Sequence, residues 1–275
     1  GNSFVHVSTG GSHGCVLDEQ GSISCWGDDS YGQATPPIGY FIDITTGNNH
    51  TCALDPLGNI QCFGEDSDGQ ITNSPVGHFV YITSGGNHNC AINPQREIQC
   101  WGNNDSGQTT SPTGEFITID TGLNHSCALH LTGEVECWGE DSSGQATPPM
   151  GTFSQLVVGN NHGCAISDAG IISCWGEDNS NQVSDTPSGT FTQVTAGANH
   201  SCAIDLLGDI HCWGANTNGQ SELPSNDFCY QFIDNDNDGF YTSCDADCDD
   251  NNPDLNPADY DLDGYSSCDG DCDDF

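Results

Sequence analysis

Cysteines ten residues apart recur six times, as Cys15/Cys25, Cys52/Cys62, Cys90/Cys100, Cys127/Cys137, Cys164/Cys174 and Cys202/Cys212. In an antiparallel hairpin that turns at Pro56-Leu57-Gly58, Cys52 stands opposite Cys62. Opposed residues bring their Cβ atoms to about 4.5–5.5 Å, close to what a disulfide requires. The rival chemistry is zinc, but a C-x9-C step is not a usual zinc spacing. The spacing therefore predicts six disulfides, one per unit. Bridges that close such small loops contribute about 2–3 kcal/mol each in the chain-entropy picture. They also place the chain in an oxidising, extracytoplasmic compartment, secreted or at the cell surface.

A second set of residues offers oxygen ligands. Residues 227–275 hold sixteen Asp and no Lys or Arg. "DNDNDGFYTSCD" puts Asp234, Asp236, Asp238 and Gly239 at the first, third, fifth and sixth places of a calcium loop, with Asp245 at the twelfth. Hard calcium takes six to eight oxygens, and the glycine permits the sharp turn. "DYDLDGYSSCDGD" repeats the pattern with Asp259, Asp261, Asp263 and Gly264; its twelfth place is Gly270, so Asp269 or Asp271 must substitute. Asp247 and Asp249 follow the first loop and Asp273 the second, inside "DADCDD" and "DGDCDD". The pattern resembles the D-x-D-x-D-G…D-C-D-D metal-binding repeats of secreted microbial proteins, and more loosely thrombospondin type 3 repeats. The bland alternative is a disordered acidic tail, against which the Gly and Cys recur in register. Copper is the rival ion, and oxygen ligands without Met or clustered His argue against it. Acids also recur in the repeat loops, as Asp28-Asp29, Glu65-Asp66-Asp68, Glu140-Asp141 and Glu177-Asp178. They offer either further calcium ligands or ordinary solvated turns.

The whole chain carries 40 Asp and Glu against one basic residue, Arg96, for a net charge of −39. Nucleic acid and anionic membranes both need cationic footprints and are excluded as partners. No apolar run is long enough to span a bilayer. Acidity on this scale either serves solubility or is neutralised by divalent cations. N-x-[ST] sequons at Asn49, Asn104, Asn124 and Asn199 offer glycosylation sites. The chain opens at Gly1 without Met, as a mature or trimmed form would.

The elements that position these groups are repeats. The element H-x-C begins at His13, His50, His88, His125, His162 and His200, at steps of 37 or 38 residues. Each copy runs on to Cys-Trp-Gly (Phe63 replaces Trp once) and then to Gly-Gln, except at Asn181-Gln182. "FIDITTG" and "FITIDTG" alternate β-branched or aromatic residues with polar ones, the signature of a strand. "HTCALD" and "NIQCFG" read as two more strands round a turn. Helix-period stripes are absent. Short strands in units too small to bury a core alone predict an all-β propeller of six blades over 1–226, followed by an irregular calcium-binding segment over 227–275. A seventh blade, completed by the tail or by a neighbour, is the alternative.

The consensus G-x-N-H-x-C-A-[LI]…G-x-[IV]-x-C-W-G-x-[DN]-x-x-G-Q resembles the repeats of the regulator of chromosome condensation family. It is most similar to a secreted, cysteine-paired microbial branch, over roughly residues 4–224. The resemblance implies a β-propeller. It also implies that the repeated histidines are structural and tie one blade's backbone to its neighbour. It does not carry the family's nuclear exchange-factor activity, for which nothing here matches. Nor does the chain hold G-x-S-x-G, H-E-x-x-H or a P-loop.

The strand-opening Phe recurs at Phe4, Phe41, Phe79, Phe116, Phe153 and Phe191, and again in step at Phe228. If each opening strand completed the preceding blade, either 4–9 or 228–233 would be left over as a template for another chain. Seventeen cysteines leave Cys229, Cys244, Cys248, Cys268 and Cys272 beyond the six pairs. Local bridges 244–248 and 268–272 would be tight, and Cys229 would then be available for an intermolecular bond. The expectation is a non-enzymatic, extracellular, calcium-binding propeller that assembles with copies of itself as a fibre or surface layer. The alternatives are a monomeric propeller that binds a protein or glycan, and a metal-assisted secreted enzyme such as a lyase.

Overall fold

A computed structural model describes residues 3–223. The Asp-rich segment lies outside the described residues, with its twelve candidate calcium ligands Asp234, Asp236, Asp238, Asp245, Asp247, Asp249, Asp259, Asp261, Asp263, Asp269, Asp271 and Asp273. So do Cys229, Cys244, Cys248, Cys268 and Cys272, and the strand expected at 228–233. Within the described residues stand six antiparallel sheets of three strands each, with no helix. Blade one is built from Phe4–Thr9, His13–Asp18 and Ile23–Gly27. Blade two uses Asp43–Thr46, His50–Leu54 and Ile60–Gly64, and blade three Tyr81–Ser84, His88–Ile92 and Ile98–Gly102. Blade four uses Phe116–Thr121, His125–His130 and Val135–Gly139, and blade five Phe153–Val158, His162–Ser167 and Ile172–Gly176. Blade six is Phe191–Ala196, His200–Asp205 and Ile210–Gly214.

In every sheet the central strand lies between the opening and the closing strand. The opening strand therefore pairs inside its own repeat: Val7 faces Val16 and Ser8 faces Cys15. Residues 4–9 are not a spare strand that completes blade six, and among the described residues no blade exchanges a strand with its neighbour. A repeat of about 37 residues is long enough for three short strands and their turns, so each blade closes its hydrogen bonds locally.

The central strands are buried from end to end in blades two and three. They are packed on both faces by neighbouring blades, which explains their unbroken small and apolar run His-x-Cys-Ala-Leu/Ile. Opening strands such as Phe116–Thr121 alternate buried and exposed residues.

Each central strand is in register with its closing strand so that the two cysteines face each other. All six predicted disulfides are formed: Cys15–Cys25, Cys52–Cys62, Cys90–Cys100, Cys127–Cys137, Cys164–Cys174 and Cys202–Cys212, with Cα–Cα distances of 4.0–4.1 Å. The two ends of a bridge differ in their surroundings. Cys15, Cys52, Cys90, Cys127 and Cys164 on the central strands are fully buried. Cys25, Cys62, Cys100, Cys137, Cys174 and Cys212 on the closing strands are half-buried, because a closing strand is the outer edge of its sheet. Cys202 is also half-buried, since blade six has no described blade after it.

The core is divided into five junctions rather than gathered in one centre. At each, a blade's disulfide and aliphatic residues receive the next blade's Phe and aliphatic side chains. Phe41 and Ile44 pack on Cys15 and Leu17, with Cys25 beside them. Phe116 and Ile119 pack in the same way on Cys90 and Ile92, with Cys100 beside them. The Gly-Gln turns need a left-handed residue before the Gln: Gly32, Gly69, Gly107, Gly144 and Gly219 have φ of 74–84°. Asn181, at φ 60°, stands at the same place in blade five, because Asn tolerates this region better than other side chains.

Candidate functional site

The repeated chemistry is turned inward, to the joints between blades. Nε2 of His13, His50, His88 and His162 meets Thr51, Asn89, Ser126 and Ser201 of the following blade at 2.8–2.9 Å. The tie is to a side chain, not to the backbone that the family resemblance implied. The partners then reach back: Thr51, Asn89 and Ser126 donate to the carbonyl oxygens of Gln33, Gln70 and Gln108 on the blade before. These tying residues follow the His directly in sequence. The polar Thr, Asn or Ser in four of the six copies was the signal that could have found them. Gly14 and Gly163 fill the place in the other two, and His125 Nε2, which faces blade five, has no partner.

The Gln side chain clamps its own loop. Its Oε1 accepts from the backbone N–H two residues earlier, as Gln70 does from Asp68 at 2.8 Å. Its main-chain carbonyl also receives the tryptophan of the next blade. Trp101, Trp138, Trp175 and Trp213 donate Nε1 to the carbonyls of Gln70, Gln108, Gln145 and Gln182 at 2.8–3.0 Å. Four of the five tryptophans are thus cross-blade anchors; the fifth, Trp26, is 53% exposed.

Burial removes His88, His125 and His162 from acid–base chemistry near neutrality. Burial first, and neighbouring histidines second, bring His88 down to about 3 and His125 and His162 to about 4. The opposite shift falls on Asp120, which sequence reading missed. Burial raises it to about 6, against hydrogen bonds from the Val158 and Thr121 amides and the Thr83 hydroxyl. Asp120 in blade four thus links blades three and five, at 3.3 Å to Thr83 and 2.8 Å to Val158 N. The other blades have Ser, Thr or Val at this place, so the asymmetry was visible but had no spatial meaning in sequence.

The loop acids have structural work as well. Asp29, Asp66, Asp141 and Asp178 accept backbone N–H groups from Ala34, Ile71, Ala146 and Val183 at 2.8–2.9 Å. Asn104 does the same for Thr109, which shows that the position needs an acceptor oxygen and not a charge. Glu65 and Glu140 accept the Nδ2 of the sequon residues Asn49 and Asn124. Among the described residues no three His, Cys, Asp or Glu side chains gather as a metal site. Through these bonds the loop acids fasten their turns.

A channel of about 490 Å³ runs where the six blades meet, walled by the equivalent glycines Gly10, Gly47, Gly85, Gly122, Gly159 and Gly197. The remaining wall is Thr, Ser, Asn, Ala and Val, with His200 the one titratable side chain among the described lining residues. Such a wall can offer amides and hydroxyls to a neutral ligand. Among the described lining residues no hydroxyl is hydrogen-bonded to His200 as a nucleophile would be to its base.

The regulator of chromosome condensation (RCC1) repeat matches residues 4–33, 41–70, 79–108, 116–145 and 191–220. Blade five, with its Asn181, is the unmatched one. Among solved structures, the ectodomain of the receptor kinase CR4 from Physcomitrella patens is 27% identical, with a TM-score of 0.67, over 78% of this chain and 62% of that one. The present chain thus spans less than two thirds of that ectodomain. The ectodomain of the receptor kinase ACR4 from Arabidopsis thaliana is 23% identical, with a TM-score of 0.64, over 78% of this chain and 81% of the other. Prp20p from Saccharomyces cerevisiae, described with binding properties to Gsp1p and histones, is 17% identical, with a TM-score of 0.65, over 77% and 72%. These likenesses establish the propeller fold. No curated protein matches the chain. The five matched repeats cover more than half of the sequence, and the chain belongs to the family of regulator of chromosome condensation (RCC1) repeat proteins.

Proposed function

We propose that this chain is an extracellular, non-enzymatic interaction propeller that assembles with copies of itself, with calcium held by its Asp-rich segment. The observation that carries the reading is where the chemistry lies. Four of the repeated histidines and four of the five tryptophans are engaged in joints, and among the described residues no channel hydroxyl is hydrogen-bonded to His200. The carboxylates left over face solvent. Such a molecule acts through its surfaces. Six disulfides fit an oxidising compartment. A net charge of −39 makes copies repel one another, and divalent cations shared between acidic faces would reverse that sign of interaction. Cys229 is the residue proposed for a covalent link between subunits.

Negative-stain electron microscopy of the full chain, with and without a calcium chelator, tests the reading. Regular assemblies that fray on chelation are expected. Separate single propellers in both conditions would sink self-assembly and transfer the reading to a monomeric binder of a protein or glycan. The neutral, amide-lined channel favours that second reading.

A further inference from the structure

The six blades repeat so closely that departures from the repeat stand out, and several of them gather where blade three adjoins blade four. At the turn between central and closing strands five blades have Gly21, Gly58, Gly133, Gly170 and Gly208; blade three has Arg96, at φ 65°. A long side chain is held there at a cost, and strain of this kind marks places where the side chain has a use. Arg96 is also the chain's one basic residue against 40 acids. It is exposed, and the ion pairs among the described residues all belong to histidines. Glu97 next to it and Glu115 across the turn do not engage it, so its guanidinium is open to another molecule.

Blade four departs from the repeat beside it. The Phe116 amide donates to the Arg96 carbonyl at 2.9 Å, and the Phe116 ring stacks on His130 with centroids 4.3 Å apart. His130 replaces the Asp, Asn or Ser of the other blades, and its Nε2 meets Glu136 at 2.8 Å. Glu136 in turn stands where the other blades have Ser, Gln or His. His130, Glu134 and Glu136 line an open cleft of about 390 Å³ together with Pro148, Pro149 and Met150. Met150, Leu131 and Ile117 leave apolar side chains exposed in this region. Two carboxylates beside apolar walls suit the guanidinium and the aliphatic stem of an arginine. Arg96 of the same chain does not line the cleft.

We propose that this stretch is a self-complementary patch through which two copies of the chain pair about a two-fold axis, Arg96 of each entering the cleft of the other. A two-fold contact needs both halves on one surface. Phe116 supplies that arrangement, since it touches the Arg96 turn through its amide and His130 of the cleft through its ring. The occupant is a second copy because the patch already carries the cation that its own cleft fits. The chain has no other Lys or Arg side chain with which to meet an acidic neighbour. Between molecules of net charge −39, unlike charges can meet directly here. At physiological salt the Debye length is about 8 Å, so more distant carboxylates are largely screened while the paired groups are in contact. The inference rests on the self-assembly reading and adds to it a contact that needs no calcium.

The test is sedimentation of the full chain over a range of concentrations at physiological salt, with a calcium chelator present throughout. A monomer–dimer equilibrium is expected. Arg96→Glu should weaken the dimer by about 100-fold, because like charges then face each other at both ends of the contact. Glu134→Arg with Glu136→Arg in one chain should do the same. An equal mixture of these two variants should dimerise again, since reversed charges meet at one end and native charges at the other. That rescue also shows that both variants fold. A parent chain that stays monomeric in chelator overturns the proposal. So does a dimer that survives both variants, or a mixture that stays monomeric. A mixture or parent that grows past the dimer in chelator overturns the two-fold contact in favour of a head-to-tail one. The outcome is separable from calcium-dependent assembly. A monomer in chelator beside regular assemblies in calcium removes this contact alone, and a dimer in chelator without such assemblies removes the calcium reading alone.

Discussion

Nε2 of His50 lies 2.8 Å from Oδ1 of Asn89 on the following blade, and both side chains are fully buried. Asn89 in turn donates to the carbonyl of Gln70 on the first blade. This two-way stitch makes a junction polar and directional where the surrounding contact is apolar. His50→Ala would remove one of the two donors to Asn89 Oδ1, Ser84 Oγ being the other, and open a cavity. It is expected to cost about 2–4 kcal/mol in denaturant unfolding under non-reducing conditions. His125→Leu is expected to cost clearly less, since His125 Nε2 has no partner to lose.

Acid should loosen the propeller before it protonates most of the surface. His88, His125 and His162 titrate near 3, 4 and 4 when folded, because burial disfavours the charged ring. Unfolded, they titrate near 6.5. The unfolded chain therefore binds more protons between those values. The stabilisation is complete above about pH 6.5 and is lost as pH falls toward 4 and 3, on the order of 3 kcal/mol for each ring. Urea midpoints should hold level from pH 8 to about pH 6.5 and fall from there to pH 4. A flat profile over that range would contradict burial of neutral rings.

Asp120 should act in the opposite sense. Burial raises it to about 6, above its ordinary 3.8. Its contribution is full below about 3.8 and is lost as pH rises through about 6. Asp120→Asn removes this titration, so the variant's stability should climb more steeply between pH 4 and 6 than that of the parent. The comparison of the two urea profiles reads the difference directly.

Arg96, the chain's one basic residue, has φ 65° at a turn where the other five blades place a Gly. A branched or long side chain in this region is strained by about 1–2 kcal/mol, partly offset by the extra freedom of Gly when unfolded. Arg96→Gly is expected to raise the unfolding free energy by about 0.5–1 kcal/mol. Asn181→Gly should gain less, because Asn already tolerates the conformation.

Calcium binding is expected to reside in the Asp-rich segment. Titration calorimetry of the full chain should show calcium uptake that Asp234→Asn with Asp236→Asn weakens at the first loop, and Asp259→Asn with Asp261→Asn at the second. Substituting Asp66 and Asp141 by Asn should leave uptake unchanged, since those carboxylates fasten turns. Uptake that follows Asp66 and Asp141 instead would return the blade loops to consideration as the site.

The sequence by itself determined the repeat, the three strands of each blade and the pairing of the cysteines. Those are local matters: a step of ten residues across a tight turn leaves Cys52 little choice but Cys62, and the same holds from Cys15–Cys25 to Cys202–Cys212. It also showed that the histidines recur, but not what they touch, because Thr51 and Asn89 are 38 and 39 residues from the rings they meet. Tertiary structure decided everything that depends on one blade meeting the next. It paired the opening strand within its own repeat, turned the loop acids onto turn backbones, and singled out Asp120 among otherwise equivalent positions. It also distinguished Phe4 and Trp26 from their copies, although their immediate sequences match. The physical reason is that burial belongs to a junction, and a junction exists only where two faces are brought together; the same Phe is core in five blades and surface in the first.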